Sequence, residues 1–456
     1  MSEKIHFAGI GGTGMSALAQ FHAFGGGKAT GSDRLLDRGE IAQLRSKFEA
    51  LGIRLFPQDG SGIDSQTARL VVSTAIEDSN PDIAKAKSLK LPIVHRADFL
   101  AEQVAGRRSL AVTGTSGKST VTAMIFEVLD AAGKSPSVIT GGGLRLLESR
   151  GLFGNAARGE SDLLVIEADE SDGSLVRYKP WLGVLLNVGK DHKDIPVLME
   201  MFRTFRSNCA KFAVNGDAPG LAEFRPNAVK FGFSEGCEVR GTDLKLEPGR
   251  VSLKINGEPF DLPLDGRHNA ENALAAAAAC LEAGVPLKTS AQALSSYQGV
   301  MRRFERVGTA RGVTVVDDYA HNPDKVRAAL AAAQACVGAG RVLAVFQPHG
   351  YGPTRFLKAE FIEAFSQALR PQDLLWMPEI YYAGGTAVKD ISSADLVGPI
   401  AEEGRKAFFV ADREDVARAA AREARPGDMI LLMGARDPNL SAFARRILNA
   451  LGSALL

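Results

Sequence analysis

Residues 114–120 read GTSGKST and have the residue types of a phosphate-binding loop. The usual loop is G-x-x-x-x-G-K-[ST], whereas here two residues separate Gly114 from the G-K pair, so this loop is two residues shorter. Backbone N–H groups of such a turn can surround an anion, Lys118 can reach a terminal phosphate, and Ser119 or Thr120 can offer a hydroxyl oxygen to Mg²⁺. We therefore predict nucleotide binding here, against the simpler interpretation of a Gly/Ser-rich turn with an exposed lysine.

Carboxylates cluster directly after an apolar run, in EADESD at residues 167–172. Four carboxylates within six residues repel one another unless a cation neutralises part of their charge, and Mg²⁺ is a suitable cation. The other interpretation is an acidic loop that is exposed to solvent. Asn187, Asp191 and His192 follow the next apolar run, in NVGKDHKD. Because ligands of open α/β sheets bind beyond the carboxyl ends of strands, these groups are expected to share one site.

A second glycine-rich turn, GIGGTGM at residues 9–15, follows the first apolar run of the chain. Gly9, Gly11 and Gly14 let the backbone approach a diphosphate, and the helix that follows attracts an anion to its N-terminus. Asp33 stands about 20 residues further on, where dinucleotide-binding folds place an acidic residue. The turn indicates a nucleotide diphosphate better than NAD in particular, and glycines placed for packing alone remain an alternative.

Further polar residues in the second half of the chain each have a functional and a structural interpretation. Asn269 is a candidate ligand or a helix cap, Arg303 in MRRFE an anion clamp or a surface residue, and Asp318 a ribose ligand or a cap. The segment QPHGYGPTR follows an apolar run and contributes three more candidates, His349, Tyr351 and Arg355.

Short apolar runs alternate with helical patterns along the whole chain, which predicts an α/β fold with parallel sheets. The alternation restarts twice, so we predict three domains with bounds at 1–106, 107–299 and 300–456. VSLKINGEPFDLPL predicts a hairpin at its N-G pair, and HNAENALAAAAACLEAG predicts a helix that stops at Gly284.

The composition excludes several classes of protein. Among 456 residues, 54 Lys and Arg balance 53 Asp and Glu, so no basic surplus indicates a nucleic-acid partner. No apolar run reaches the ~18 residues of a membrane helix, and the N-terminus lacks the pattern of a signal peptide. None of the four cysteines forms a C-x-x-C motif, which fits a reducing compartment. We expect a cytoplasmic protein without membrane insertion, either a monomer or a weak homodimer.

Taken in order, the motifs resemble those of the Mur ligase family. They are G-T-x-G-K-[ST]-[ST], E-A-D-E-S-D, N-x-x-x-D-H, H-N-x-x-N, R-R-F-E, D-D-Y-x-H-x-P and F-Q-P-H, and they span nearly the whole chain. The resemblance implies a Rossmann-like N-terminal domain for a UDP-sugar, a central P-loop-type ATPase domain, and a Rossmann-like C-terminal domain for an amino acid. It implies an ATP-dependent amide ligase that acts through an acyl phosphate in peptidoglycan precursor synthesis. In the branch that the chain most resembles, L-alanine is joined to the lactyl carboxylate of UDP-N-acetylmuramate.

The same resemblance implies residue roles. Catalysis would rest on Lys118, Glu167, His192 and Arg303, and Mg²⁺ would be held by Ser119, Glu167 and His192. ATP would be bound by Gly114, Thr115, Gly117, Lys118, Ser119, Thr120, Asn269, Arg303 and Asp318. The UDP-sugar would be bound by Gly11, Gly12, Gly14, Met15, Asp33, Ser73 and Thr74, and the amino acid by His349, Tyr351 and Arg355.

The chain departs from the family pattern in several places. Several Mur ligases carry a carbamylated lysine where this chain reads MEMFRTFRSN; the alanine-adding branch also lacks it. Gly350 in QPHGYGPTR replaces an arginine of that branch, which leaves the amino acid open. A recycling ligase that attaches a tripeptide is therefore one alternative. An NAD-dependent oxidoreductase is an alternative of another class, but it leaves the GKST loop unexplained, and a non-catalytic scaffold leaves the ligand-type residues unexplained.

Overall fold

The computed structural model describes residues 3–189, 194–247, 249–382 and 388–453. The chain divides into two compact units, Met1–Met301 and Arg302–Leu456. Within the described residues, the first unit contains an N-terminal sheet and a central sheet, and the second unit contains a C-terminal sheet. No helix in these ranges is both long and apolar enough to cross a membrane.

The N-terminal domain is a parallel sheet in the order β3-β2-β1-β4-β5 with helices between the strands. Its central strands β1 and β2 are mostly buried, whereas the edge strands β3 and β5 are not, and helix α1 ends before Gly25. The elements are β1 (Lys4–Ala8), α1 (Thr13–Phe24), β2 (Lys28–Ser32), α2 (Arg34–Asp37), α3 (Gln43–Ala50), β3 (Arg54–Phe56), β4 (Thr67–Val72), α4 (Pro81–Ser88), β5 (Ile93–His95) and α5 (Arg96–Ala105).

The central domain has a sheet in the order β15-β14-β13-β12-β11-β10-β6-β9-β7-β8. Its strand pairs are parallel except at the two ends, where β7–β8, β13–β14 and β14–β15 are antiparallel. The elements are β6 (Arg108–Thr113), α6 (Lys118–Ala131), β7 (Ser137–Ile139), α7 (Arg145–Ser149), β8 (Ala156–Ala157), β9 (Leu163–Glu167), β10 (Leu182–Leu185), α8 (Ile195–Asn208), β11 (Lys211–Asn215), β12 (Val229–Gly232), β13 (Val239–Glu247), β14 (Arg250–Ile255), β15 (Glu258–Leu262), α9 (Arg267–Glu282) and α10 (Leu287–Leu294). Short 3₁₀ turns cover Ser174–Arg177 and Ala222–Phe224.

Two local predictions for the central domain are confirmed. Strands β14 and β15 form the predicted hairpin, and Asn256 and Gly257 between them have φ values of 47° and 88°, the left-handed pair that a tight hairpin turn requires. Helix α9 ends at Glu282, two residues before Gly284, which has φ of 78°. Small alanine side chains let this helix be buried over most of its length in the core.

The C-terminal sheet has the order β16-β17-β21-β18-β19-β20, parallel apart from the β16–β17 pair. Apolar clusters lie on both faces of the sheet, so its central strands β18 and β21 are nearly continuous apolar runs. The elements are β16 (Glu305–Ala310), β17 (Val313–Asp318), α11 (Pro323–Val337), β18 (Val342–Gln347), α12 (Tyr351–Phe356), α13 (Lys358–Ala368), β19 (Leu374–Met377), α14 (Ala394–Glu402), β20 (Lys406–Phe409), α15 (Arg413–Glu423), β21 (Met429–Gly434) and α16 (Leu440–Ser453).

The N-terminal and central domains pack directly against each other within the first unit. The rings of Phe48 and Phe153 lie 4.6 Å apart between centroids. Gln20 Nε2 donates to Asn155 Oδ1 at 2.9 Å, and Asn155 Nδ2 donates to the Thr13 carbonyl at 2.8 Å, at the start of α1. These contacts hold helix α1 and its glycine-rich turn at a defined position relative to the central sheet.

Glu127, in α6, is a carboxyl group in the core of the central domain, only 6 % exposed. The backbone N–H of Gln298 donates to its Oε2 at 3.3 Å, whereas Oε1 has no hydrogen-bond partner among the described residues. Burial raises the pKa of this carboxyl from its usual 4.5 to about 7. The folded protein therefore disfavours the charged form of Glu127, and about half of the molecules carry the proton near neutral pH.

This pKa predicts that the protein loses stability as the pH rises from 4.5 to about 7. Below pH 4.5 the Glu127 carboxyl is protonated in both the folded and the unfolded chain, so it does not change stability with pH. Between pH 4.5 and about 7 the unfolded chain releases the proton first, and the free energy of unfolding falls. Above pH 7 both forms are charged, and the cost of the buried carboxylate is constant. Glu127→Gln mimics the protonated acid, so we expect it to stabilise the protein near pH 8 by on the order of 2–3 kcal/mol, and by less near pH 5. Thermal denaturation at both pH values measures this, with Glu160→Gln at an exposed position as control. An equal gain at both pH values would contradict the prediction.

Candidate active site

The GTSGKST loop forms the turn between β6 and α6 that the sequence predicts. Gly114 has φ of 135° and Gly117 has φ of 87°, conformations that side chains rarely adopt. A Cβ on Gly114 would lie 3.0 Å from the backbone N of Asn187, and one on Gly117 would lie 2.6 Å from Asn272 Oδ1. Both glycines are therefore required by backbone conformation and by close neighbours, which agrees with a compact anion-binding turn.

Asn187, just beyond β10, orders this loop through its side chain. Its Oδ1 accepts hydrogen bonds from Thr115 Oγ1 and from the backbone N–H of Ser116, both at 2.9 Å. Its Nδ2 donates to the Ser116 carbonyl at 3.0 Å. The parallel pairing of β6 with β10 places the carboxyl ends of the two strands side by side, which brings Asn187 to the loop.

Lys118, the first residue of α6, lies folded over the loop. Its Nζ donates to the Gly114 carbonyl at 2.8 Å and to Glu170 Oε2 at 2.7 Å, and it lies 3.6 Å from Asp169 Oδ1. Burial by itself would lower the pKa of Lys118, but Glu170, Asp169 and Glu167 raise it above its usual value. The ammonium group is therefore charged and positioned at the GTSGKST loop.

Ser119 and Glu167 are brought together from α6 and the end of β9. Ser119 Oγ lies 2.9 and 3.0 Å from the two carboxylate oxygens of Glu167. Thr140 Oγ1 donates to Glu167 Oε2 at 2.8 Å, and the backbone N–H of Gly141 donates to the same oxygen at 3.0 Å. A hydroxyl and a carboxylate oxygen are the donor types that Mg²⁺ takes from proteins, while water supplies the other positions. The residues present therefore fit a magnesium ion.

The third predicted metal ligand, His192, lies outside the described residues, as does Asp191. Within the described ranges, no group of three or more His, Cys, Asp or Glu side chains is arranged to hold a metal ion. Thr120, the remaining hydroxyl of the motif, lies in the first turn of α6, and its carbonyl accepts a hydrogen bond from the Tyr297 hydroxyl at 3.4 Å.

The glycine-rich turn of the N-terminal domain lies at the start of α1. The backbone N–H of Gly11 donates to Asp33 Oδ2 at 2.9 Å, and that of Leu35 donates to Asp33 Oδ1 at 2.8 Å. Burial raises the pKa of Asp33 despite these bonds. Asp33 is thus beside the turn, as the sequence predicts, and it fixes the backbone of that turn to the end of β2.

The other predicted sugar-nucleotide residues lie around the same turn. Gly12 caps α1, and its N–H donates to the Gly9 carbonyl at 3.1 Å. Ser73 and Thr74 follow β4, the neighbour of β1, so they lie at the same edge of the sheet. The Met15 side chain is buried in the apolar core, which leaves only its backbone to reach a ligand.

Asn269 lies at the start of α9, near the GTSGKST loop. Its Nδ2 donates to the Asp265 carbonyl at 2.8 Å, and its Oδ1 accepts from Asn272 Nδ2 at 3.1 Å. Asn272 is the residue that abuts Gly117 of the loop. The structure therefore brings Asn269 close to the loop that we predict to bind ATP.

In the second unit, Arg303 and Asp318 lie together at the end of β17. Asp318 accepts hydrogen bonds from the backbone N–H groups of Phe304 and Ala320, both at 2.7 Å. Burial raises the pKa of Asp318, although Arg303 and these bonds oppose the shift. The Arg303 guanidinium lies 5.3 Å from the centre of the Tyr319 ring. Its positive charge therefore lies beside the Asp318 carboxyl group.

The three residues of QPHGYGPTR separate into two places in the second unit. The His349 ring lies 5.8 Å from the His321 ring, which is 5.3 Å from Tyr319, so His349 joins the group around Arg303. Tyr351 instead packs on Tyr382, 5.3 Å between ring centroids, and Arg355 forms an ion pair with Asp390.

Three family models match the chain in sequence order. They describe the Mur ligase family, catalytic domain, over residues 4–108, the Mur ligase middle domain over 112–280, and the Mur ligase, glutamate ligase domain over 302–436. The UDP-N-acetylmuramate–L-alanine ligase of Streptomyces griseus is 36 % identical to the chain over 99 % of its length and 98 % of the relative's length. The chain belongs to the Mur ligase family.

This Mur ligase is similar to further proteins over nearly its full length. The UDP-N-acetylmuramate–L-alanine ligase of Geobacter sulfurreducens is 34 % identical over 95 % of each chain. The crystal structure of a UDP-N-acetylmuramate–alanine ligase from Thermotoga maritima superposes with a TM-score of 0.81, 26 % identity and 99 % coverage of both chains. A murein peptide ligase from Psychrobacter arcticus has the same fold, with a TM-score of 0.72 and 22 % identity.

Family membership confirms the predicted fold of three α/β domains and the use of ATP. It also removes the need for the oxidoreductase alternative, because the glycine-rich turn belongs to the first Mur ligase domain. Sequence analysis missed Thr140 as a partner of Glu167 and did not separate Glu170 from its acidic neighbours as a partner of Lys118. A polar residue at the carboxyl end of β7 was the available signal for Thr140.

Proposed function

We propose that this Mur ligase joins L-alanine to the lactyl carboxylate of UDP-N-acetylmuramate, driven by ATP, as a step of peptidoglycan precursor synthesis. The observation that carries the proposal is the near-full-length similarity to UDP-N-acetylmuramate–L-alanine ligases at 34–36 % identity. The similarity to the Thermotoga maritima enzyme of that kind supports it. The pairing of a phosphate loop with a hydroxyl–carboxylate pair supports the chemistry.

Lys118 and the N–H groups of the loop would bind the β- and γ-phosphates of ATP. Ser119 and Glu167, with His192, would hold Mg²⁺, which would neutralise charge on the phosphates. The lactyl carboxylate oxygen attacks the γ-phosphorus, a P–O bond forms to give the acyl phosphate, and the bond from this phosphorus to the bridging oxygen breaks, so ADP leaves. The neutral alanine amine then attacks the acyl carbon; the nitrogen loses a proton to solvent, the C–O bond to the phosphate breaks, and inorganic phosphate leaves. Positioning and charge neutralisation are the main tasks of the protein.

The remaining residues would bind the three substrates. Asn269 would contact the adenine and Asp318 the ribose of ATP, and Arg303 would stabilise the transferred phosphate. The glycine-rich turn, Asp33, Ser73 and Thr74 would hold the UDP-sugar. Of the three residues proposed for the amino acid, His349 lies with the group around Arg303 and would be nearest the reaction. Tyr351 and Arg355 would contact the amino acid from their separate place beside Tyr382 and Asp390. A cytoplasmic location and a monomeric or weakly dimeric state complete the proposal.

A tripeptide is the second candidate for the group that is added. The loop QPHGYGPTR leaves the added group open, because, by the family resemblance, Gly350 replaces an arginine of the alanine-adding branch. The lower TM-score of the Psychrobacter arcticus murein peptide ligase, 0.72 against 0.81, favours L-alanine instead.

The test is phosphate release by the full chain with ATP, Mg²⁺ and UDP-N-acetylmuramate. L-alanine, glycine, L-serine, D-alanine and the tripeptide are offered one at a time, and product formation is followed by mass spectrometry. We expect release with L-alanine and at most slow release with glycine or L-serine. Release with the tripeptide alone would replace L-alanine as the substrate, and no release with any of them would remove the ligase assignment.

A further inference from the structure

Arg96 lies against the glycine-rich turn of the N-terminal domain, although it is about 80 residues away in sequence. It is the first residue of α5 and follows β5, which pairs with β4 at the same edge of the sheet as the turn. A Cβ on Gly14 would lie 2.9 Å from Arg96 Nη1. The absence of a side chain at Gly14 thus lets the guanidinium rest against the first turn of α1.

The guanidinium of Arg96 is only partly used by the protein. It forms an ion pair with Asp172 of the acidic segment, and Asp172 is its sole hydrogen-bond partner among the described residues. The Arg96 side chain is 28 % exposed, so solvent and ligands can reach it. An arginine has five N–H donors in a planar fork, and most of those on Arg96 are available to a second anion.

A cation beside the glycine-rich turn would strengthen the hold of this turn on a diphosphate. Residues 9–15 contain no Lys or Arg, and the helix N-terminus supplies only about half a positive charge. Asp33, which accepts the N–H of Gly11, places a carboxyl group beside the turn. Without a neighbouring cation, the diphosphate would face only the partial positive charge of the helix N-terminus, and the carboxyl group of Asp33 would lie beside it.

We propose that Arg96 binds the diphosphate of the sugar nucleotide and is the counter-charge of the glycine-rich turn. This inference rests on the proposed function, because it takes UDP-N-acetylmuramate as the substrate. The guanidinium fork matches phosphate oxygens, and Asp172, which is bonded to Nη2, orients the fork. Because Asp172 belongs to the segment that begins with Glu167, the arginine also joins the sugar-nucleotide site to the ATP site of the central domain.

The experiment measures equilibrium binding of UDP, UDP-N-acetylglucosamine, UDP-N-acetylmuramate and uridine to the full chain. We expect Arg96→Ala to weaken binding of all three UDP compounds by about 10- to 100-fold, the loss for charge-assisted hydrogen bonds, and to leave uridine binding unchanged. Arg96→Lys keeps the charge without the fork and is expected to fall between wild type and Arg96→Ala. Thermal denaturation verifies that each variant is folded.

Two matched variants separate ligand binding from structural support. Asp172→Asn removes the partner of Arg96 but leaves the guanidinium free, so binding is expected to stay equal or become tighter. Arg177→Ala removes the ion pair between Arg177 and Asp98, which joins the same two domains, whereas Arg96 is the residue that meets Gly14, so this variant is expected to leave binding unchanged. The double variant Arg96→Ala/Asp172→Asn is expected to bind as weakly as Arg96→Ala.

Three results would overturn the inference. They are unchanged UDP binding in Arg96→Ala, equal weakening in Asp172→Asn, and weakening for UDP-N-acetylmuramate alone, which would assign Arg96 to the lactyl carboxylate. The wild-type protein separates this inference from the proposed function. If wild type binds UDP compounds but ligates no amino acid, the proposed function is wrong. The binding comparison then still tests whether Arg96 contacts the diphosphate. If wild type binds none of them, both fail.

Discussion

Lys118→Ala is expected to lower the turnover of ATP by at least about 10²- to 10³-fold, the range for removal of one preorganised charge donor. The structure holds Lys118 Nζ at the phosphate loop, 2.8 Å from the Gly114 carbonyl, and no other lysine or arginine follows within the motif. Lys118 would stabilise the charge on the transferred phosphate in the transition state as well as in the ground state, so we expect the loss in kcat as well as in KM. Steady-state kinetics with saturating amino acid and UDP-sugar measure both.

The control for Lys118→Ala must address its buried partner. Glu170 is only 2 % exposed, and without the lysine it would be an unpaired buried carboxylate, a destabilising arrangement. The double variant Lys118→Ala/Glu170→Gln removes both charges and is expected to fold as well as wild type and to stay inactive. Near-normal turnover in a folded double variant would show that the loop does not bind the reacting phosphates.

Glu167→Gln is expected to lower turnover by at least about 10- to 100-fold and to raise the Mg²⁺ concentration needed for half-maximal activity. The carboxylate lies 2.9 Å from Ser119 Oγ and accepts from Thr140 and Gly141 as well. An amide would keep one acceptor oxygen but lose the charge that a hard divalent cation requires. Activity titrations with Mg²⁺ at fixed ATP concentration measure the shift.

Asp169→Asn is the matched control for Glu167→Gln. It removes a carboxylate from the same acidic segment, 47 % exposed and 3.6 Å from Lys118. We expect a smaller change in turnover and little change in the Mg²⁺ requirement. If both variants shift the Mg²⁺ titration equally, the acidic segment acts through its total negative charge, and Glu167 is not a specific Mg²⁺ ligand.

Local patterns in the sequence were sufficient for much of the fold. The run KIHFA followed by glycines predicts a strand, a turn and a helix, and the structure has β1, the turn and α1 in those places. Local sequence also predicted the N-G hairpin between β14 and β15 and the C-terminal end of α9. Each of these features depends on residues within a few positions of one another, so backbone geometry and side-chain periodicity decide it.

The sequence by itself also determined the kind of chemistry, because seven motifs in family order indicate an ATP-dependent ligase. The same motifs identify Lys118, Ser119 and Glu167 as candidate site residues. Only the tertiary structure decided which groups surround them. Thr140 reaches Glu167 because β7 pairs with β9, and Arg96 reaches Gly14 because β5 lies two strands from β1. The order of strands in a sheet results from packing between distant segments, which no local periodicity specifies. Contacts across that order therefore became visible only in the folded chain.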